Sequence, residues 1–462
     1  MSVETTVFLG KNEIFASFSY KVDNVEYIKR DITSDNPNCT RLNFTDVLSN
    51  AKVFGFYNPL KPLENGSSVV KFIKDIRIDY LNYIVDINNF ETNETIQELN
   101  DLRNDNDLKE LKILLSITSI DLNNNLVNKN PGNGTFATLN NLNYSDSIKI
   151  IAEKVKTYEL DGVNIVKNDC NGSLSDTLEN IDTMHSAVNW DTSWITTFTV
   201  NANDKETPLS NISNIQGHVN YTIIQAFYLN PNDNNSAPLY RNNNNTVTFN
   251  SLFNQLKKLN VDFTKLIWGF DLSGIMNVSP DSVNGSIEND DPCLIDSNFS
   301  IWPWKEIRKT ALTDMCIAKD DDDWTRGFDN VANSAILSNP QLNVSFAYED
   351  PESLYVKFIW VTGYSFAGIS IANLVFDSIN NNNSILKFIN APKNHDYNGN
   401  DGIGKPGSDN NKKNNGVIIE VVVGCILFAM GLLTVVFCCS RGRKRHSAIE
   451  VKTTEEHDGI SF

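Results

Sequence analysis

The stretch Ser147–Asn168 reads SIKIIAEKVKTYELDGVNIVKN, and it decides the fold class. Its first half carries apolar residues at helical spacing, which predicts an amphipathic helix whose buried face is formed by Ile148, Ile151, Ala152, Val155 and Tyr158. A short apolar run, 160–166, follows at once and is typical of a buried strand. A helix leading directly into a buried strand is the repeating unit of a parallel α/β sheet or barrel.

Seven further runs of β-branched and aromatic residues occur along the chain, separated by helical segments. In order, the eight strand candidates are 52–57, 78–85, 111–117, 160–166, 194–200, 221–228, 266–271 and 367–372. Eight such runs over roughly 330 residues predict an α/β fold, a (β/α)8 TIM barrel. We expect an insertion between the seventh and eighth strands.

The fourth strand resembles the active-site strand of glycoside hydrolase family 18, the chitinases and their relatives. The family pattern is Asp-Gly-x-Asp-x-Asp-x-Glu, and the same frame here gives Asp161, Gly162, Asn164, Val166 and Asn168. Three later segments resemble fungal chitinase-type domains, namely Trp304–Arg308, Trp324–Asp329 and Phe346–Leu354. The last contains Tyr-x-Asp-Pro-x-Ser, which predicts a strand followed by a helix with proline at its first position.

The resemblance implies a particular chemistry, and the chain departs from it. In family 18 the sugar's own acetamido oxygen attacks the anomeric carbon while a protein carboxylic acid protonates the leaving oxygen. Asn168 occupies the position of that acid, and an amide cannot transfer the proton. Val166 occupies the position of the aspartate closest to the acid.

Other positions implied by the resemblance are changed as well. Phe227 and Tyr228 stand where the family has the tyrosine and aspartate that contact the acetamide, and Ala372 replaces a tryptophan that forms the floor of the sugar pocket. One interpretation is that Asn164, Val166 and Phe227 fill the barrel interior. The other is that the mouth still binds glycan through aromatic rings, for which the candidates are Tyr57, Tyr228, Trp302, Trp304 and Trp324.

We therefore predict a chitinase-like protein that binds chitin or a related N-acetylglucosamine glycan without cutting it. Two alternatives stay open. An active hydrolase with a rewired acid would have to use Asp161, Asp169 or Asp271. A structural or adhesive surface protein would use the barrel only as a scaffold.

Composition excludes other classes of function. A net charge of −18 and a pI near 4.7 argue against nucleic acid as a partner, because phosphates would be repelled. The five histidines show no metal-ligand spacing, and the chain has no glycine-rich phosphate loop. We predict neither a metal nor a cofactor.

The C-terminal part predicts a membrane anchor. The apolar run 416–439 is long enough to cross a bilayer, and a basic cluster at 441–446 favours a cytoplasmic end. The predicted domains are an N-terminal segment of unknown structure (1–50), the barrel (51–385), a flexible stalk (386–415), the transmembrane helix (416–439) and a cytoplasmic tail (440–462). The lipid bilayer is then a partner, and the barrel lies outside the cell.

The predicted ectodomain has features of a secreted glycoprotein. Acceptor triplets for N-linked glycans occur at Asn38, Asn43, Asn65, Asn93, Asn133, Asn143, Asn171, Asn211, Asn277, Asn298 and Asn343. Its four cysteines are an even number, compatible with two disulfides, and Cys293 with Cys316 is the favoured pair. Four free thiols are the alternative.

The first residues do not match this topology. The stretch Met1–Tyr20 lacks the continuous apolar core of a signal sequence, so we expect the sequence to be incomplete at its start. The alternative is that the anchor itself drives insertion, in which case the sequence does not fix its orientation. The strand-like runs 14–20 and 22–28 are assigned to no barrel strand.

Overall fold

The computed structural model describes the chain between residues 2 and 390, with gaps. The described residues are 2–9, 14–22, 25–30, 42, 44–59, 63, 67–84, 92–118, 144–167, 174–187, 190–202, 209–229, 237–241, 247–278, 300–319, 322–379 and 384–390. The predicted transmembrane helix 416–439 and the tail 440–462 lie outside them. Within the described ranges, no helix combines the length and the apolar character needed to span a membrane.

A small antiparallel sheet comes first in the chain. It consists of β1 (Ser2–Leu9), β2 (Ile14–Val22) and β3 (Val25–Arg30), hydrogen-bonded in that order. The two strand-like runs of the N-terminal segment are therefore strands, and they pair with each other and with β1 rather than with the barrel.

A closed barrel of eight parallel strands forms the centre of the fold, and the eight predicted strands are confirmed. Its first seven strands are β4 (Lys52–Tyr57), β5 (Tyr80–Ile84), β6 (Lys112–Thr118), β7 (Gly162–Val166), β8 (Ile195–Asn201), β9 (Tyr221–Gln225) and β10 (Leu266–Phe270). The β-branched and aromatic runs thus predict where each strand lies, although their ends differ by a few residues.

The predicted insertion after β10 is mostly antiparallel sheet. Its strands are β11 (Ser273–Val278), β12 (Ser300–Pro303), β13 (Leu312–Asp314), β14 (Ile317–Ala318), β15 (Thr325–Asp329), β16 (Ser334–Asn339) and β17 (Val344–Tyr348). Five of them form one sheet in the order β12-β11-β17-β16-β15. The eighth barrel strand, β18 (Gly368–Ile371), then pairs in parallel with β10 and β4 and closes the barrel.

Helices connect the strands and cover the outside of the barrel. They are α1 (Phe44–Val47), α2 (Val69–Asp75), α3 (Asn93–Asn104), α4 (Tyr144–Thr157), α5 (Leu174–His185), α6 (Ile212–Ile215), α7 (Phe249–Lys258), α8 (Trp304–Ala311), α9 (Pro351–Gly363) and α10 (Ile385–Asn390). The α4 helix buries Ile148, Ile151, Ala152 and Val155 as predicted, whereas Tyr158 lies just after the helix and is partly buried. The stalk, however, cannot begin at residue 386 as predicted, because α10 buries Leu386 and Phe388 in the core.

Side chains alternate along each barrel strand between the interior and the helices. The interior apolar cluster consists of Phe54, Phe56, Ile84, Leu114, Val166, Ile223 and Ile267. Residues of the other strand face pack outward into the main core with the helices. Because all eight strands are parallel, their carboxyl ends meet at one end of the barrel, which we call the mouth.

Polar residues cap the amino ends of the strands, opposite the mouth. Asp79, directly before β5, accepts a hydrogen bond from the backbone N–H of Val53 at 2.7 Å. Asp161, directly before β7, accepts one from the N–H of Ile113 at 2.9 Å. Asn220 accepts a hydrogen bond from a backbone N–H of β8 in the same way. These side chains satisfy strand-end donors that would otherwise lack a partner in the sheet.

Two glycines stand where neighbouring strands leave no room for a side chain. A Cβ on Gly162 would lie 1.9 Å from the carbonyl oxygen of Ile195, and one on Gly368 would lie 1.9 Å from that of Lys52. Barrel packing alone therefore requires the glycine of the Asp161-Gly162 pair.

A buried ion pair joins the insertion to α9. Arg326 of β15 donates to Asp350 through Nε at 2.9 Å and to Glu352 through Nη2 at 2.9 Å. Asp350 also caps α9 by accepting from the N–H of Ser353 at 2.9 Å, and Pro351 begins the helix. The Tyr-x-Asp-Pro-x-Ser element thus forms the predicted strand-to-helix junction.

We expect Gly162→Ala to lower the free energy of unfolding by about 3 kcal/mol, because the adjacent strand must move to admit the methyl group. Urea unfolding measures this change. The control is Gly363→Ala in the last turn of α9, where a Cβ meets nothing within 4 Å. It should stabilise by less than about 1 kcal/mol, since alanine replaces glycine in a helix. Similar effects of the two substitutions would contradict the packing argument.

Arg326→Gln should lower the free energy of unfolding by about 3–5 kcal/mol, because it leaves buried carboxylates without their cation. Lys74→Gln is the matched control. Lys74 pairs with Asp107 at the surface at 2.6 Å, and an exposed pair contributes about 0–1 kcal/mol. A loss below about 1 kcal/mol for Arg326→Gln would show that the buried pair does not hold the junction.

Candidate functional site

The mouth is where a function is expected, because (β/α)8 enzymes carry their sites at the carboxyl ends of the strands. On β7 the side chain of Asn164 is fully buried in the barrel interior. Its oxygen accepts from the hydroxyls of Thr197 and Thr199 at 2.7 and 2.8 Å, and its nitrogen donates to Ser116 at 3.2 Å. This amide is a neutral, hydrogen-bonded part of the interior and has no proton to give to a substrate.

Val166 follows on the same face of β7 and is 5% exposed. It belongs to the apolar cluster inside the barrel. Asn168 and Asp169, which come next, lie outside the described residues. The described part of the strand therefore presents no carboxylate to the mouth.

Three positions that depart from the family pattern are brought together at the mouth. The buried cluster they form consists of Phe227, Tyr228, Ile275, Ile301 and Ala372, with the partly buried Phe376 packed against it. The rings of Phe227 and Tyr228 meet edge to face at 5.1 Å. Since Ile275 and Ile301 come from β11 and β12, the insertion covers the ends of the sixth and eighth strands. We call this group the mouth cluster.

A polar group lies beside the mouth cluster. Asp271, just after β10, is buried. Its Oδ2 accepts from the hydroxyl of Tyr228 and from that of Ser273, the latter at 2.6 Å, and its Oδ1 accepts from the amide of Asn373 at 2.9 Å. Burial raises the pKa of Asp271, which these hydrogen bonds partly offset. The ends of the sixth, seventh and eighth strands are thus joined through one carboxyl.

A narrow recess adjoins this polar group. It is lined by Ala226, Phe227, Tyr228, Ala237, Phe270, Asp271, Ser273 and Glu349, and it is too narrow to admit a water molecule. Glu349 accepts from Ser353 at 2.7 Å and from the buried ammonium of Lys357. Burial raises the pKa of Glu349. Both carboxyls at the recess are therefore engaged with protein donors, and a sugar ring has no room between them.

Four of the five aromatic candidates are core residues, which corrects the sequence prediction. Tyr57, Tyr228, Trp304 and Trp324 are each at most 4% exposed. Their rings are covered by protein and present no face to a glycan. Tyr57, for example, donates its hydroxyl to Glu98 of α3 at 3.1 Å. Trp302 is partly buried and packs against Phe346, on the face of β12 opposite to the mouth cluster.

Asp161 cannot serve as a rewired acid at the mouth. It lies at the amino end of β7 and forms ion pairs with Arg103 at 2.6 Å and Lys112 at 3.3 Å. Three further residues of the site, Ser273, Asn373 and Phe376, were not predicted from the sequence. Asn373 directly follows the end of the eighth strand, so its location at the mouth was readable from the strand pattern.

Several predicted modification sites fall on described residues. Asn343 is exposed in the turn between β16 and β17, and Asn211 is partly buried. Asn93 and Asn277 lie in α3 and β11. The other acceptor asparagines, Asn38, Asn43, Asn65, Asn133, Asn143, Asn171 and Asn298, lie outside the described residues. Cys316 is disulfide-bonded, whereas Cys293, its predicted partner, lies outside them.

Solved chitinases share this fold. A chitinase from Rhizomucor miehei is 16% identical and aligns over 74% of this chain and 100% of its own, with a TM-score of 0.54. The Group IV chitinase of Ostrinia furnacalis in complex with allosamidin is 12% identical, over 74% and 97%, with a TM-score of 0.55. The family 18 chitinase of Cycas revoluta in complex with (GlcNAc)3 is 14% identical, over 73% and 98%, with a TM-score of 0.53.

No curated protein matches the chain. The model of the family described as "Glycosyl hydrolases family 18" matches residues 25–377, which include every strand of the barrel and the whole insertion. This chain therefore belongs to glycoside hydrolase family 18.

Proposed function

We propose that this protein binds chitin or a related N-acetylglucosamine glycan without hydrolysing it. The observation that supports this most directly is the interior of β7, where the neutral amide of Asn164 and the apolar Val166 occupy two positions of the family's acidic strand. Asn168 occupies the third, the position of the proton donor. Without a carboxylic acid at that place, the leaving oxygen has no proton source from this strand.

The class of ligand is suggested by the family. Solved relatives are chitinases, and two of them hold allosamidin or (GlcNAc)3. In this chain, Phe376 after β18 is the partly buried aromatic side chain that packs against the mouth cluster, and it marks the rim. Trp302 alternates with Ile301 along β12, so its ring lies on the other face of that strand, against Phe346. We propose that sugar faces stack on this rim rather than inside the barrel, since aromatic rings provide apolar contact together with defined geometry.

A purely structural or adhesive role is the second candidate. The mouth cluster favours it, because a barrel whose sixth and eighth strand ends are occupied by its own side chains can act as a rigid support with no ligand. A hydrolase with a rewired acid is less well supported, since the carboxyl of Asp271 is already bonded to Tyr228, Ser273 and Asn373.

We further propose that the protein is held at the cell surface by the apolar segment 416–439, with the barrel outside and the basic cluster 441–446 in the cytoplasm. The polar composition of residues 391–415 supports a flexible connection between the two.

The purified full chain should sediment with insoluble chitin and release no fluorophore from a labelled chito-oligosaccharide. Phe376→Ala should weaken chitin binding by about tenfold, because one stacked ring contributes about 1.4 kcal/mol. The control is Trp194→Ala, which removes a partly buried tryptophan that packs at the amino end of β8. Equal chitin binding by both variants would show that the glycan does not stack on the rim.

The same assay tests the hydrolase alternative. Turnover that disappears in Asp271→Asn or Asp169→Asn, but persists in Glu110→Gln, would overturn the non-catalytic assignment. Glu110 is an exposed carboxylate two residues before β6, at the end of the barrel away from the mouth. No turnover in any of the four proteins agrees with our proposal.

The anchor is tested by cell fractionation. The full chain should stay in the membrane fraction after alkaline carbonate extraction, whereas a chain ending at Asn415 should be recovered outside the membrane fraction. Treatment with an N-glycan amidase should reduce the mass of both. Recovery of the full chain in the carbonate supernatant would contradict the membrane assignment.

A further inference from the structure

The backbone at Tyr228 is unusual. Its φ is 52°, in the left-handed region that large L-residues rarely adopt. Such a conformation persists only where the surrounding structure holds it, and residues of this kind are concentrated at functional sites. Tyr228 directly follows β9 at the mouth, so the strained residue is also one at which the chain departs from the family pattern.

Contacts from three neighbouring elements hold Tyr228 in this position. Its hydroxyl donates to Asp271 and contacts the hydroxyl of Ser273. Asn373 fixes the other oxygen of the carboxyl from the end of the eighth strand, at 2.9 Å. The tyrosine ring packs in the mouth cluster against Phe227. The conformation is therefore determined from both ends of the side chain.

The same arrangement occupies the space at the ends of the sixth and eighth strands. Phe227 and Tyr228 are both buried, Ala372 lies in contact with their cluster, and the recess beside them does not admit water. A pyranose ring is several times larger than a water molecule. It could enter here only if these two aromatic side chains left.

We propose that Phe227 and Tyr228 form a plug, held by Asp271, that excludes a sugar ring from the ends of the sixth and eighth strands, so that at this place the protein contacts glycan only at the rim, along a polymer. The choice of ligand rests on the proposed function, but the plug itself does not. Asp271 is in this view a positioning residue that acts through the hydroxyl of Tyr228, and Phe227 and Tyr228 determine specificity by blocking short chains.

A cysteine placed in the mouth cluster tests the plug without any ligand. Ala372→Cys puts a thiol at a buried position of the mouth cluster, and the rate of maleimide labelling is measured by mass spectrometry of the peptide that contains residue 372. The rate should rise at least about tenfold when Phe227→Ala and Tyr228→Gly are added, since glycine also accepts the left-handed backbone. An unchanged labelling rate would overturn the plug.

A milder variant tests the role of Asp271. Tyr228→Phe keeps the ring and removes only the hydroxyl, so the labelling rate at residue 372 should rise by about tenfold, the factor expected from losing one hydrogen bond to a buried carboxyl. The control is Tyr83→Phe, since Tyr83 donates to Glu98 at 2.7 Å on the outer side of the barrel. The control should lose a similar amount of global stability in urea with no change in labelling. Equal labelling of both variants would show that Asp271 does not hold the plug.

Binding measurements then address specificity. Wild-type protein should bind insoluble chitin but show no heat of binding in calorimetry with the soluble trimer (GlcNAc)3. The Phe227→Ala/Tyr228→Gly variant should bind the trimer. Equal binding of the trimer by both proteins would overturn the proposed exclusion and leave chitin binding intact. Failure of both proteins to bind any chitin would instead overturn the proposed function, while the labelling rates would still decide whether the plug exists.

Discussion

Closing eight parallel strands into one barrel brings neighbouring backbones so close that two seams exclude a side chain. Gly162 and Gly368 occupy these seams, where a Cβ would lie 1.9 Å from the carbonyl oxygen of the next strand. Asp161, directly before Gly162, caps β6 and pairs with Arg103. The two residues of the fourth-strand motif that match the family are therefore those that the barrel itself needs. The positions that differ from the family pattern are those whose side chains would carry the chemistry.

This division explains how the interior can be stable without the acids. An ionised carboxylate inside a barrel must be compensated by charge or by several hydrogen bonds, since its desolvation is unfavourable. The amide of Asn164 is neutral and is bonded by three side chains of the adjacent strands, and Val166 joins an apolar cluster. Neither needs a charged partner. The carboxyl retained near the mouth, that of Asp271, has three side-chain donors of its own.

The local sequence pattern was sufficient to predict the barrel strands, but it was insufficient to predict which side chains are exposed at the mouth. Eight β-branched and aromatic runs located every barrel strand, because strand formation and helix periodicity depend on neighbours in sequence. The exposure of an aromatic ring is not determined by its neighbours in sequence. Trp304 is covered because it stacks against Tyr348, and this contact depends on how the insertion folds. Likewise the Asp271 group joins residues 43 and 102 positions away, which no window of sequence can bring together. The prediction that the stalk begins at residue 386 was wrong for a similar reason, since α10 is buried only through tertiary contacts.

The mouth cluster and the replacement of the family's acidic residues on the fourth strand are consistent with each other on geometric grounds. A general acid is useful only within hydrogen-bond reach of the glycosidic oxygen, and this requires a sugar ring to lie at the carboxyl ends of the strands. Phe227 and Tyr228 occupy that place at the sixth strand, and the insertion covers them through Ile275 and Ile301. With the ring excluded, an acid on β7 would have no bond to protonate. Under the proposed function, a glycan held at the rim is retained by stacking and polar contacts alone.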